Sequence, residues 1–164
     1  MGILRIYVET SVWSFAFADD APDYQADTLA FFGRCRRNEI EPFVSGVVLD
    51  EIDRADPPLR ARLIGLVQEI RPTAVDLTAE AMRLAEAFLR ERIVPTAKPE
   101  DARHVAIGFA EELDALVSWN FRHIATLRRA ERFNAIALLE GFYKPLRIVS
   151  PAEVLYDDGT DPTA

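Results

Sequence analysis

Four polar side chains fall where a divalent cation and a water molecule can be held together: Glu9, Glu51, Asp101 and Asn120. Glu9 directly follows a short apolar run that reads as a strand, with Thr10 and Ser11 beside it, and Asn120 directly follows another. In open parallel α/β sheets, sites form beyond the carboxyl ends of the strands. Glu51 lies about one turn into the helix expected after the strand ending at Ser45, and Asp101 in the first turn of a helix opened by Pro99. If both helices begin at the same sheet edge, the four residues converge. Carboxylates packed together repel and favour a cation between them. Oxygen donors, with one cysteine and two histidines in the whole chain, favour Mg²⁺ or Mn²⁺ over zinc. Such an ion can activate water and stabilise charge on a phosphoryl group during in-line displacement.

Each residue taken alone also has a plain structural explanation. Glu9 and Asn120 are ordinary turn residues after strands. Glu51 sits among the surface acids Asp50 and Asp53, and Asp101 suits the positive end of a helix. The functional reading rests on their joint placement. His104 and His123 read as packing or surface residues rather than ligands, with the better claim to the site belonging to His123, close to Asn120. Trp13, Phe15 and Phe17 read as core or dimer-interface packing rather than base-stacking rings, and Asp114 as a structural residue ahead of its strand.

The elements that must position these residues alternate between strand and helix. Strands are expected over Ile3–Val8, Pro42–Ser45, Thr73–Leu77, Ala115–Trp119 and Arg147–Val149. Helices are expected over Tyr24–Arg37, with Ala26, Leu29, Ala30 and Phe32 available to a buried face, and over Gly46–Asp53. Another runs from Pro57-Pro58 to about Ile70. Thr78 should cap a helix carrying Ala79, Met82, Ala85, Phe88 and Leu89 on one side. A helix from Pro99 carries Ala102, Val105, Ala106, Phe109 and Ala110, and a last one starts near Ile124. This alternation predicts an α/β domain with a mostly parallel sheet covered on both faces. Residues 1–156 read as one unit, and 157–164 as a flexible acidic tail.

Of the 164 residues, 49% are apolar and 28% charged, enough for both a core and a solvated surface, so disorder is not expected. The lone Cys35 excludes an internal disulfide and a cysteine-rich zinc site, and fits a reducing, cytoplasmic setting. The segment MGILRIYVET does not read as a signal peptide, and no apolar run approaches the roughly 20 residues that span a membrane. Net charge is −8, which works against a polyanionic ligand. Positive charge is local, in Arg34, Arg36 and Arg37 and in Arg122, Arg128, Arg129 and Arg132, and serves either phosphate contacts or solvated faces.

Four segments carry a resemblance. They are Tyr7-Val8-Glu9-Thr10-Ser11, Ser45-Gly46-Val47-Val48-Leu49-Asp50-Glu51, the run from Pro99-Glu100-Asp101 to Ile107, and the run from Leu116 through Trp119-Asn120 to Ile124. In this order they resemble the four motifs of the PIN-domain family, and within it the toxin-type ribonucleases of toxin–antitoxin modules (VapC-like). The resemblance covers nearly the whole chain. It implies a three-layer α/β/α PIN-like fold and Mg²⁺- or Mn²⁺-dependent endonuclease activity on single-stranded or structured RNA. It also implies a homodimer, with an antitoxin protein as a possible partner. Carried over residue by residue, it places the metal-binding acids at Glu9, Glu51 and Asp101, the fourth ligand at Asn120, and an assisting hydroxyl at Ser11. The chain departs from the common pattern in having Glu rather than Asp at position 9 and Asn at position 120, where Asp is frequent. Asparagine offers a carbonyl oxygen but no charge, which points to one tightly held ion rather than two.

Two other functions compete. The departures at Glu9 and Asn120 suit a non-catalytic PIN-like module that binds RNA or protein. A phosphatase or nucleotide-binding domain is opposed by seven scattered glycines, which form no phosphate loop, and by Glu rather than Asp at the end of the first strand.

Overall fold

The computed structural model describes residues 2–156; the expected tail at 157–164 lies outside them. Five strands form one sheet, β1 (Leu4–Val8), β2 (Ile40–Ser45), β3 (Thr73–Val75), β4 (Ala115–Val117) and β5 (Arg147–Val149), in the order β3-β2-β1-β4-β5. Every pairing is parallel, with Tyr7 opposite both Phe43 and Leu116. Helices on both faces make it a three-layer α/β/α fold. The helices are α1 (Thr10–Phe15), α2 (Pro22–Arg36), α3 (Gly46–Asp53), α4 (Pro57–Ile70), α5 (Ala79–Arg90), α6 (Pro99–Ala110), α7 (Leu127–Leu139) and α8 (Pro151–Tyr156). The chain winds outward from β1 through β2 to β3, then crosses back to β4 and β5. Right-handed crossovers therefore put α1–α4 on one face and α5–α7 on the other. Packing agrees: α2 touches α1, α4 and α8, while α5 touches α6 and α7. No helix among the described residues is long and apolar enough to cross a membrane.

Local chemistry explains the element boundaries. Proline opens α2, α4 and α6, where its missing N–H is no loss. Ser45 caps α3 by accepting from Val47 N at 3.2 Å, and Thr126 caps α7. Thr78 caps α5 through Ala81 N at 3.1 Å, as the sequence predicts. Thr78→Ala is therefore expected to cost about 1 kcal/mol, read as a melting temperature lowered by roughly 2–4 °C in a domain of this size. An unchanged melting temperature would mean the cap bond contributes nothing.

Three expectations need correction. The buried stripe of α2 is Thr28, Phe31, Phe32 and Cys35, not Ala26, Leu29 and Ala30, which are exposed. Two phenylalanines bury far more apolar area than an alanine row does. Thr28 can join them because its hydroxyl is satisfied, donating to Tyr24 O at 2.7 Å and accepting from Trp119 Nε1 at 2.8 Å. On α5, Ala79 is exposed, and Ala81, Leu84, Ala85, Ala87 and Phe88 are the buried residues. Two short helices, α1 and α8, stand where no helix is expected. Burial also raises the Cys35 thiol to about 12, so it is inert packing rather than a nucleophile.

Candidate metal and phosphoryl-transfer site

The strand order reverses between β1 and β4, and the crevice outside the carboxyl ends of such strands is the natural ligand position in a parallel sheet. Glu9 follows β1 there, and Ser118, Trp119 and Asn120 follow β4. Ser45 ends β2 on the same edge and starts α3, which carries Glu51. Asp101 is in the first turn of α6. The sheet and its helix starts thus bring all the sequence-predicted residues to one edge.

A hydrogen-bond network joins them. Glu9 caps α1: its Oε2 accepts from Ser11 N at 2.7 Å, from the Ser11 hydroxyl, and from Ser118 Oγ at 3.2 Å. Ser11 Oγ also accepts from Trp119 N at 2.9 Å, tying α1 to the end of β4. Asn120 N donates to Ser118 Oγ at 2.9 Å, while Asn120 Oδ1 accepts from His123 N at 2.9 Å and so fixes the turn after β4. His123 Nδ1 lies 2.9 Å from Asp101 Oδ2, which closes the path from Glu9 to Asp101. Glu51 joins from the other side. Its Oε1 accepts from Thr10 Oγ1 at 3.0 Å and from His104 Nε2 in a very short contact. Behind His104, its Nδ1 is 2.6 Å from Tyr7 Oη, which is 2.7 Å from Ser45 Oγ.

Charge follows this geometry. Glu9 is only 4% exposed. Burial raises its pKa most, helped by the nearby Glu51, against the opposing pull of His104 and the Ser11 donors. Burial would raise Glu51 too, but His104, Thr10 and Arg54 outweigh it and hold Glu51 below the usual carboxylate range. For His104, fully buried, burial favours the neutral ring, yet Glu51, Glu9 and Asp101 together lift its pKa above the ordinary value. The Tyr7 hydroxyl is pushed well above its normal range by burial, so it stays protonated.

The donor chemistry suits a hard cation. Each of the three acids has one oxygen held, Glu9 Oε2, Glu51 Oε1 and Asp101 Oδ2. Among the described residues none of the opposite oxygens takes a hydrogen bond. Among the described residues no fully buried side-chain oxygen lacks a partner, so none of these three is sealed from solvent. Partners on the outer oxygen of a ligating carboxylate orient it, as second-sphere groups do in metal sites. Asn120 keeps one carbonyl lone pair beyond its bond to His123. Among the described residues no three His, Cys, Asp or Glu side chains are already gathered round one point; Glu51 pairs with His104 and Asp101 with His123. A hollow of about 190 Å³ lies beside Glu51, bordered by Asp50, Arg54, Glu100 and Arg103. A larger one, about 570 Å³, lies at the opposite, amino edge among Leu4, Ile40, Asp114 and Arg147, away from the acids.

The sequence reading took His104 for packing alone and did not single out Tyr7 or Ser118. His104 is a core residue, as expected, but it also grips Glu51. Tyr7 carried a signal: it shares the strand face of Glu9, and a buried tyrosine hydroxyl requires a partner. Arg34 and Arg37 pair with Glu39, and Arg36 with Glu69, at the amino edge, so that group does not reach the site. Asp114 is structural: it accepts from Arg5 N at 2.8 Å and pairs with Lys144. Fold and site together define a parallel α/β protein with an acidic, histidine-braced crevice at its strand-order reversal. No protein-family model matches the chain, and no curated protein matches it.

Proposed function

We propose that this chain is a Mg²⁺- or Mn²⁺-dependent endoribonuclease that cleaves single-stranded RNA, and that it serves as the toxin of a toxin–antitoxin pair. The observation that carries this reading is the arrival of Glu9, Glu51 and Asp101 from three separate elements at one sheet edge, each with one oxygen braced and one that takes no hydrogen bond among the described residues. The four ordered sequence segments supply the ribonuclease class, and with it the homodimer and antitoxin expectations.

Glu9, Glu51 and Asp101 would hold the ion, with Asn120 as a neutral fourth donor. The ion supplies an activated water and charge stabilisation at the phosphoryl group. The chain supplies position. Ser11 and Ser118 hold Glu9, Thr10 and His104 hold Glu51, and His123 holds Asp101. The turn fixed by Asn120 sets His123 against Asp101.

The test is cleavage of a mixed-sequence single-stranded RNA in Mn²⁺, in EDTA, and in EDTA followed by excess Mn²⁺. Cleavage that stops with the chelator and returns with the ion is expected. Cleavage that continues unchanged in EDTA would end the metal-dependent reading. A second reading, a non-catalytic binding module, is favoured by the pairing of Glu51 and Asp101 with histidines rather than with each other. It requires that Mn²⁺ titration by calorimetry show no stoichiometric binding.

A further inference from the structure

An acidic protein that acts on RNA needs a source of affinity other than phosphate attraction. Net charge is −8, and the carboxylate edge adds local repulsion toward a polyanion. One arginine group is spent in ion pairs at the far edge. In the other group, Arg129 and Arg132 bond the carbonyls of Ile93 and Glu91.

Aromatic rings stand against the crevice instead. Trp119, nearly buried, is fixed at both ends, its backbone N–H on Ser11 Oγ and its indole N–H on Thr28. Tyr24 packs edge-on to it at 4.7 Å between centroids, and Phe121 does so at 5.9 Å. Phe15 fills in behind, 5.7 Å from Tyr24. Tyr24 and Phe121 are the outer rings, 45% and 46% exposed. Phe121 directly follows Asn120. Arg122, next along, is exposed and makes no ion pair among the described residues.

We infer that Tyr24 and Phe121, backed by Trp119, form a stacking platform for unpaired nucleobases beside the carboxylates. This rests on the ribonuclease reading above and names how its substrate is held. Exposed rings bind bases through their π-faces, with little dependence on sequence. Paired bases keep those faces covered, so the platform selects single strands over duplex. Arg122 supplies a contact for a neighbouring phosphate. Because stacking carries most of the affinity, its salt dependence is shallow, unlike that of a basic groove.

Fluorescence anisotropy with a short labelled mixed-sequence RNA, alone and annealed to its complement, tests this. Ca²⁺ replaces Mn²⁺ in the binding assay, and cleavage in Mn²⁺ is followed in parallel. The protein is expected to bind the single strand well above the duplex. Phe121→Ala and Tyr24→Ala should each weaken single-strand binding about fivefold to a hundredfold, by similar factors at low and high salt. Phe121→Leu should lose as much although it stays apolar, and Phe121→Trp should keep the affinity. All four changes are at half-exposed rings, and circular dichroism confirms folding. If the alanine variants bind single strands as tightly as the parent, the platform is wrong while the ribonuclease reading stands. If they keep RNA affinity but lose self-association in sedimentation, the rings are a protein contact and the inference is overturned. A parent protein that neither binds nor cuts single-stranded RNA overturns the ribonuclease reading, and the platform with it.

Discussion

Glu9→Gln is expected to cut RNA cleavage by at least about a hundredfold while making the metal-free protein more stable. In the proposed metal site, losing one charged ligand gives up part of the several kcal/mol of charge stabilisation that a bound ion supplies. The gain in stability comes from burial. Glu9 is nearly enclosed, and desolvation is the largest influence on its carboxyl, raising its pKa above the ordinary 4.5. For an acid shifted upward, the folded state favours the protonated form. Stability is then fullest below the unfolded value and declines as pH rises through the folded one. Above that point the ionised Glu9 is a net cost. Glutamine removes the charge and keeps a carbonyl to accept from Ser11. The variant and the parent should therefore melt together near about pH 4 and diverge toward about pH 7, the variant higher by roughly 2–4 °C for each kcal/mol recovered. Scanning calorimetry in EDTA at both pH values reads this. A variant that melts lower at neutral pH would show that the ionised carboxylate is a structural anchor.

His104→Ala is expected to cost about 3 kcal/mol of stability and to lower cleavage roughly tenfold to a hundredfold. The ring is fully buried between Tyr7 and Glu51. Its loss leaves a void, strips Tyr7 Oη of one partner, and leaves Glu51 with Thr10 alone. The pH dependence has a definite sign on each limb. His104 is shifted upward, so its contribution is complete below its ordinary 6.5 and is lost as pH rises through the folded value. Glu51 is shifted downward, so its contribution is complete above 4.5 and is lost as pH falls through the folded value. The stability gap between parent and variant should be widest between those two limits. His104→Gln retains an N–H toward Glu51 and should recover part of both losses. Urea unfolding across the range measures the gap. A gap that grows steadily above about pH 8 would contradict the charged pair.

The acids and their order were legible because strand ends and helix starts leave strong marks: β-branched runs, prolines at first helical positions, and serine or threonine caps. The parallel sheet was legible for the same reason, since its buried strands are apolar on both faces. The short helices α1 and α8 were not. Six residues carry too little periodicity, and Glu9 is an unusual cap whose bond to Ser11 shows only once β1 is placed. The buried face of α2 was misjudged because Thr28 looks polar until Trp119 arrives from 91 positions away. The bracing residues were hidden by a related cause. Local spacing relates Asp101 to His104, but only the sheet brings Tyr7 and Glu51 to that ring, with Ser45 behind Tyr7. Long-range polar contacts of this kind leave no periodic trace in a single sequence.

The most direct test compares the protein with its Asp101→Ala variant, both folded and at equal concentration, on a mixed-sequence single-stranded RNA in Mn²⁺. The predicted result is cleavage by the parent and a loss of about three orders of magnitude in the variant. Equal cleavage by both would place the chemistry outside the Glu9–Glu51–Asp101 edge, and no cleavage by the parent would contradict the ribonuclease assignment itself.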